Sequence, residues 1–255
     1  MAGTRLNFLV IVADDPGFSD CGCFGSEIQT PNLDVPATQC NAIRYTNYYV
    51  AAACSPMRSM LMTRTDHHIA GLDQLQGITR AWPDHAGKPD HDGYLDQHVV
   101  ALPELLSDGG YFTCMAGKWY LGTKAEHRPI RRGFKSPSLS CPKKRTDEWK
   151  KQPFFAYLPF SMLHWPLHAP KEVCDKYKGF YDDGPEALRA RRLEKLKELG
   201  MVDQGVTPHP VVTTDGKPDE WSALLEQVRQ ALTRAMEVYA GMADCMDYNI
   251  GRVAD

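Results

Sequence analysis

The stretch Ala53-Cys54-Ser55-Pro56-Met57-Arg58-Ser59-Met60-Leu61-Met62-Thr63-Arg64-Thr65-Asp66-His67-His68 sets a cysteine, a proline and an arginine at C-x-P-x-R spacing just where a helix should begin. Ser55 and Pro56 suit a helix start, and Met57, Met60 and Leu61 continue with helical spacing. A helix N-terminus there aims unpaired backbone N–H groups and the positive end of its dipole at whatever Cys54 touches. Arg58, one turn on, adds a forked cation. The pattern describes an anion site with a nucleophile in it. A small buried thiol beside a surface arginine would look the same, so the neighbouring segments must decide.

Composition sets wide bounds. A chain of 255 residues with 43% hydrophobic content can bury a full core, as one large domain or two small ones. A net charge of −3 with both signs mixed gives no broad basic surface for nucleic acid. The longest apolar run, Phe8 to Ala13, is far short of the ~20 residues of a membrane span and short for the core of a signal peptide. No membrane partner and a cytoplasmic location are therefore expected. The eight cysteines are scattered, form no C-x-x-C pair and make no dense disulfide frame, which fits reduced thiols.

Outward from Cys54, the apolar segments fall into strands and helices. Asn7 to Ala13 is a run of β-formers without alternation, the pattern of a strand covered on both faces of a parallel sheet. It ends in Asp14-Asp15-Pro16-Gly17. Ligands in open α/β sheets bind beyond the carboxyl ends of strands, and two acids there suit either a divalent cation or a capped turn. Thr30 to Asp34 reads as a capped helix start with a short helix, because Pro36 follows. Arg44 to Val50 reads as a second strand leading to Cys54. Gly71 to Asp96 reads as loop, and Val99 to Ser107 as a helix stopped by Gly109-Gly110.

Tyr111 to Ala116 is a third strand, delivering Gly117-Lys118-Trp119-Tyr120-Leu121-Gly122 to the same sheet edge. Thr123 to Lys151 is polar and basic, a loop or lid over residues 123–152. Pro153 to Phe160 is a fourth buried strand, with His164 just past its end. Pro185 to Leu199 is a charged, solvated helix. Leu225, Val228, Leu232, Ala235, Tyr239, Met242, Met246 and Val253 give one apolar stripe to a long helix across residues 219–254, which expects a sheet to lie on. The sum is an α/β fold, a mixed, mostly parallel sheet flanked by helices, with one shared active-site edge.

Asn7 to Asp20, Thr30 to Asp34, Cys54 to Thr63, Gly117 to Gly122 and Pro153 to Pro170 together resemble the successive blocks of the type I, formylglycine-dependent sulfatases, the arylsulfatases in particular. The similarity continues through Asp182-Asp183-Gly184-Pro185 and the Met236 to Val253 helix. The resemblance implies the alkaline-phosphatase-like fold and hydrolysis of a sulfate monoester on a small molecule. It implies that Cys54 is converted to formylglycine (3-oxoalanine) by a formylglycine-generating enzyme. The hydrated aldehyde is the nucleophile: one hydroxyl attacks sulfur and the other later expels sulfate, a route closed to plain serine or cysteine. Arg58 would orient the diol, Lys118 would hold a sulfate oxygen, and His164 would serve as acid or donor at the ester oxygen. Asp14, Asp15 and the converted Cys54 would ligate Ca²⁺.

The chain departs from that pattern in four places. Tyr120 stands where the resemblance places histidine, and Arg64 where it places glycine. The stretch between Phe134 and Pro153 is short. The chain also stops at Asp255, before a strand that in the family carries an Asp-Asn pair and before a second sulfate-binding lysine. The resemblance thus covers the N-terminal part of a sulfatase, an incomplete domain truncated at the C-terminus, and weak activity and feeble Ca²⁺ binding are expected of it. The alternatives are a phosphoester or phosphonate hydrolase of the same superfamily and a non-catalytic pseudoenzyme fragment.

Overall fold

In the computed structural model of the chain, residues 5–39, 42–85, 87–136, 151–212 and 221–254 are described. The ordered elements are β1 (Phe8–Val12), α1 (Pro31–Gln39), α2 (Cys54–Thr63), α3 (Gln76–Ala81), α4 (Leu102–Asp108), β2 (Phe112–Met115), β3 (Phe154–Pro159), α5 (Lys171–Cys174), α6 (Gly184–Glu198) and α7 (Glu226–Ala254). They divide into two compact units. The first takes Met1–Asp14 and Tyr48–Ser161, the second Asp15–Asn47 and Met162–Asp255.

The first unit is α/β. Its three described strands form a parallel sheet in the order β1-β3-β2, with Phe8 opposite Phe155 and Phe112 opposite Phe154. Because all three run the same way, their carboxyl ends share one edge, and the residues that follow Val12 and Met115 meet there. Phe155 and Tyr157 of β3 pack with Met115, Trp119, Leu121 and Phe134, and with Met62 of α2. Burying side chains of this class contributes roughly 1.5–3 kcal/mol each, so the sheet and α2 are joined by their apolar faces. β1 is less covered than its composition suggests: it lies at the edge, and Phe8 and Leu9 are 43% and 39% exposed.

Two expectations for the segments before α2 and α4 are corrected. Arg44 to Val50 is irregular, with Tyr45, Tyr48, Tyr49 and Val50 exposed. Strand propensity reflects the fit of a side chain to a pleated, half-buried surface, and no ladder of the described sheet reaches this stretch. The Val99 to Ser107 helix begins later, at Leu102. The Ala101 N–H donates to Glu104 Oε2 at 2.6 Å and Pro103 fills the first turn, so the chain before them stays extended. Of the stretch read as a lid, residues 123–136 and 151–152 are described; short 3₁₀ turns occupy Ala125–His127 and Pro129–Arg131, and 137–150 lie outside the described residues.

The second unit contains no strand among its described residues. A 3₁₀ turn at Trp221–Ala223 precedes α7, which is 29 residues long and starts later than expected; 219 and 220 lie outside the described residues. The stripe is only half used. Ala240, Met242 and Ala243 pack on Ile28, Leu163, Tyr177 and Tyr181, whereas Leu225, Val228 and Leu232 are 70%, 41% and 49% exposed. Within this unit the helix is therefore covered by helices and loops instead of a sheet. In its exposed half the inward positions are Thr233 and Glu237, and Glu237 is held by Arg234 at 2.6 Å and by the Gly179 N–H at 3.3 Å. The α1 start is capped by α7: Asp247 accepts from the N–H groups of Asn32 at 3.1 Å and Leu33 at 2.9 Å. Thr30, the expected cap, accepts from the Gly22 N–H instead, and α1 runs three residues past Pro36.

Candidate active site

The polar residues of the first unit are placed by the ends of two strands and the start of one helix. In the first unit, Asp14 follows β1, Lys118 follows β2, and Cys54 opens α2 with Arg58 one turn inside it. Gly117 carries φ of 128°, in the region L-residues avoid, and lets the Lys118 N–H reach the Pro159 carbonyl at 2.8 Å. Trp119 anchors the far side of the turn, donating its indole N–H to the His127 carbonyl at 2.9 Å.

These four residues form one cluster. Arg58 is wholly buried; its Nη2 lies 3.2 Å from Asp14 Oδ1, and its Nη1 donates to the Lys118 carbonyl at 2.9 Å and to the Tyr157 hydroxyl at 3.4 Å. Lys118 Nζ takes the other Asp14 oxygen and lies 4.6 Å from the centre of the Tyr120 ring. Burial would raise the Asp14 carboxyl, but the Lys118 ammonium, the Arg58 guanidinium and a hydrogen bond from the Cys54 thiol outweigh it and hold the group below its usual value. Burial pushes the Tyr157 hydroxyl up, with Arg58 opposing, so Tyr157 stays a neutral donor or acceptor. The cluster sets one buried carboxylate against a buried guanidinium and a half-buried ammonium, an excess of +1 beside the first turn of a helix.

Asp15 and His164 lie in the second unit. Asp15 has φ of 60° and an exposed carboxylate, 3.9 Å from His164 Nε2. His164 Nδ1 is 2.6 Å from the Trp165 carbonyl, which requires the proton on Nδ1 and leaves Nε2 as the outward nitrogen of the neutral ring. The Asp15 turn is braced by Tyr239, whose hydroxyl reaches the Asp15 carbonyl at 3.2 Å and Asp20 Oδ2 at 2.5 Å. Arg192 holds Asp20 at 2.6 Å and Glu27 at 2.8 Å. Sequence reasoning missed Tyr157, Tyr239 and Arg192. Tyr157 was hidden inside an apolar strand, although a tyrosine in a buried run does need a partner for its hydroxyl.

The donor atoms fit a hard divalent cation in part. Asp14 is buried and ionised, and of the roughly four lone-pair positions on its two oxygens Arg58, Lys118 and the Cys54 thiol engage three; Asp15 offers a second carboxylate. The Cys54 thiol does not fit, since Ca²⁺ takes oxygen ligands. Only an oxygen-bearing derivative at position 54 would complete the expected ligand set.

A family model described as Sulfatase matches residues 6–139 and 143–255. An uncharacterized sulfatase of Schizosaccharomyces pombe is 40% identical over 98% of this chain and 54% of its own length. An arylsulfatase of Klebsiella aerogenes is 32% identical over 98% of the chain and 62% of its own. The chain thus spans between half and two thirds of these relatives. Among solved structures, BT4656 in complex with its substrate D-glucosamine-2-N,6-O-disulfate is similar with a TM-score of 0.61 at 16% identity, over 98% of this chain and 61% of that one. A phosphonate monoester hydrolase of Agrobacterium radiobacter gives 0.57 at 16% identity, over 98% and 58%. At such identities the two structures speak for the fold alone. No helix among the described residues is long and apolar enough to cross a membrane.

Proposed function

The chain belongs to the sulfatase family, and from that premise we propose that it hydrolyses sulfate monoesters, R–O–SO₃⁻ to R–OH and sulfate, with Cys54 converted to formylglycine and with Ca²⁺ bound by Asp14 and Asp15. The observation that carries this reading is the clasp of Asp14 by Arg58 and Lys118 beside the Cys54 thiol. A sulfate ester is a monoanion that gains charge on its bridging oxygen as the S–O bond breaks. A largely buried cationic surplus beside a nucleophile favours both the bound ester and that developing charge.

Formylglycine, when present, supplies a hydrated aldehyde as the oxygen nucleophile, and the cation supplies charge neutralisation for the sulfate. The remaining work belongs to this chain's own residues. Arg58, fixed by its bonds to the Lys118 carbonyl and to Tyr157, holds position without rearrangement. Lys118, paired with Asp14 and facing the Tyr120 ring, neutralises a sulfate oxygen. His164, with one ring proton committed through Nδ1 to the Trp165 carbonyl, gives a proton from Nε2 to the leaving alcohol when the ring carries both protons, and the ring is left neutral. A formylglycine-generating enzyme is the partner this reading requires, and a small sulfate ester the substrate.

The test is expression of the full chain beside an active formylglycine-generating enzyme, with mass spectrometry of the Cys54 peptide and paired assays on aryl sulfate, aryl phosphate and phenyl phosphonate. Conversion of –CH₂SH to –CHO, with Ca²⁺-dependent turnover preferring the sulfate and lost in Cys54→Ala, is the expected result. An unmodified thiol under those conditions would overturn the formylglycine assignment. Preference for phosphate or phosphonate would move the chain to that branch of the superfamily.

A further inference from the structure

The segment from Gly71 to Asp96 reads in sequence as a polar loop, and the reaction proposed above uses none of it. Its backbone is nevertheless pinned. The Asp73 N–H donates to the Asp90 carbonyl at 3.2 Å, Gly93 to Gly71 at 3.0 Å, Asp96 to Ala70 at 3.0 Å and Lys88 to His85 at 3.1 Å. These bonds draw Asp73, His85 and His91 together, all within the first unit, so that one ligand-type atom of each lies within 4.8 Å of the other two. The two imidazole rings are 4.4 Å apart.

Hydrogen bonding does not account for this cluster. His91 Nδ1 lies 2.8 Å from Asp73 Oδ2, yet the contact lacks hydrogen-bond geometry. That nitrogen, His85 Nδ1 and the second Asp73 oxygen are all buried and make no hydrogen bond, although His91 Nδ1 stands within ion-pair distance of Asp73. Buried lone pairs are normally satisfied, and three that converge from separate short segments form a ligand set. The surroundings also favour a cation: between 71 and 98 the chain carries Asp73, Asp84, Asp90, Asp92 and Asp96 against Arg80 and Lys88.

We propose that Asp73, His85 and His91 bind a first-row divalent transition metal, with Zn²⁺ the ion this donor set suits best. Two imidazoles and one carboxylate are the ligands of a zinc or iron(II) centre, whereas Ca²⁺ would demand oxygens throughout. Three protein ligands leave further positions to water. The metal ties Asp73 to His85 and His91, separately from the Asp14 cluster.

Co²⁺ serves as the probe, titrated into the metal-free full chain and then displaced by Zn²⁺. One equivalent with visible d–d absorption is expected, together with a rise in melting temperature on adding Zn²⁺. His85→Gln and His91→Gln should each weaken binding by at least ~10-fold and abolish the thermal shift, while their metal-free melting temperatures stay at the wild-type value. His67→Gln and His98→Gln should bind as the wild type does. Should a ligand variant fail to fold, protection of His85 and His91 by Zn²⁺ against diethyl pyrocarbonate in the wild type, read by mass spectrometry, gives an independent answer. Absence of binding, unchanged affinity in both histidine variants, or no protection would overturn the proposal.

Discussion

The α-carbon of Gly117 lies so close to the Pro159 carbonyl that a β-carbon on it would sit 1.9 Å from that oxygen. The same carbonyl accepts the next N–H, that of Lys118, at 2.8 Å. The end of β3 therefore dictates the backbone that carries the lysine proposed to hold sulfate. Residue 117 has to be glycine twice over, for space and for its φ of 128°.

Gly117→Ala should destabilise the chain by about 2 kcal/mol or more, because neither partner in the clash is a flexible side-chain end. Gly77→Ala is the matched control. Gly77 lies inside α3, and a β-carbon added there would meet nothing within 4 Å, so alanine should be neutral or stabilise by roughly 0.5–1 kcal/mol. Urea midpoints for the two variants check this, and equal shifts would contradict it.

Arg64 terminates α2 in the left-handed region, φ 55°, with its N–H on the Met60 carbonyl at 2.8 Å. That conformation costs a non-glycine residue roughly 1–2 kcal/mol, while glycine adds about 0.4–1 kcal/mol of unfolded-state entropy. The first effect wins by a little. Arg64→Gly should raise stability by up to ~1 kcal/mol, and Arg64→Val should lower it. The same Arg64→Gly should raise conversion of Cys54, since glycine is what the family signature carries there; thermal melts and the mass of the Cys54 peptide read the two effects separately.

Much of the sheet edge was legible because chemistry and punctuation coincide in the chain: an apolar run stops and Asp14 or Lys118 follows, or Ser55-Pro56 opens a helix beside Cys54. What escaped reading depends on long-range partners. Asp247 caps α1 from a distance of more than two hundred residues, and nothing near Asn32 announces it. Arg44 to Val50 has the composition of a strand, but no described strand pairs with it. Asp73, His85 and His91 meet only because Asp90 and Gly93 fold back on Asp73 and Gly71. Local propensity names elements well and says little about which side chains those elements bring together.

Asp14 makes a pH prediction with a definite sign. Its folded-state pKa is lowered, so its contribution to stability is fully present above the unfolded carboxylate value of ~3.9 and is lost as pH falls through the lower folded value. Asp14→Asn leaves Arg58 buried without its carboxylate and should cost about 3–5 kcal/mol near neutrality. The gap between wild type and variant should be constant above pH ~5 and narrow only in stronger acid. Glu27, lowered by Arg192 against its own burial, titrates in the same window in both proteins and cancels in the difference. Denaturant unfolding from acid to neutral pH measures it; a gap that widens in acid would reverse the assignment.

Tyr120 offers the most direct test of how Lys118 is used. Its φ of 58° places it in the left-handed region, and its ring faces the Lys118 ammonium at 4.6 Å. A contact of this kind at a partly exposed site is worth about 0.5–1 kcal/mol, enough to bias the lysine but not to fix it, since Asp14 holds the same group by charge. Histidine keeps a flat ring, is among the residues that tolerate this backbone region, and adds a nitrogen whose unperturbed pKa of ~6.5 lets it act as a base near neutrality. General acid–base assistance is worth ~10²–10⁴-fold when fully aligned. In the Cys54-converted protein, Tyr120→His should therefore increase aryl sulfate kcat and introduce a pH limb near ~6.5, whereas Tyr120→Phe should leave kcat unchanged because the cation still faces a ring. A fall in kcat for Tyr120→His, or an equal loss in Tyr120→Phe, would show that the tyrosine hydroxyl itself takes part in the reaction.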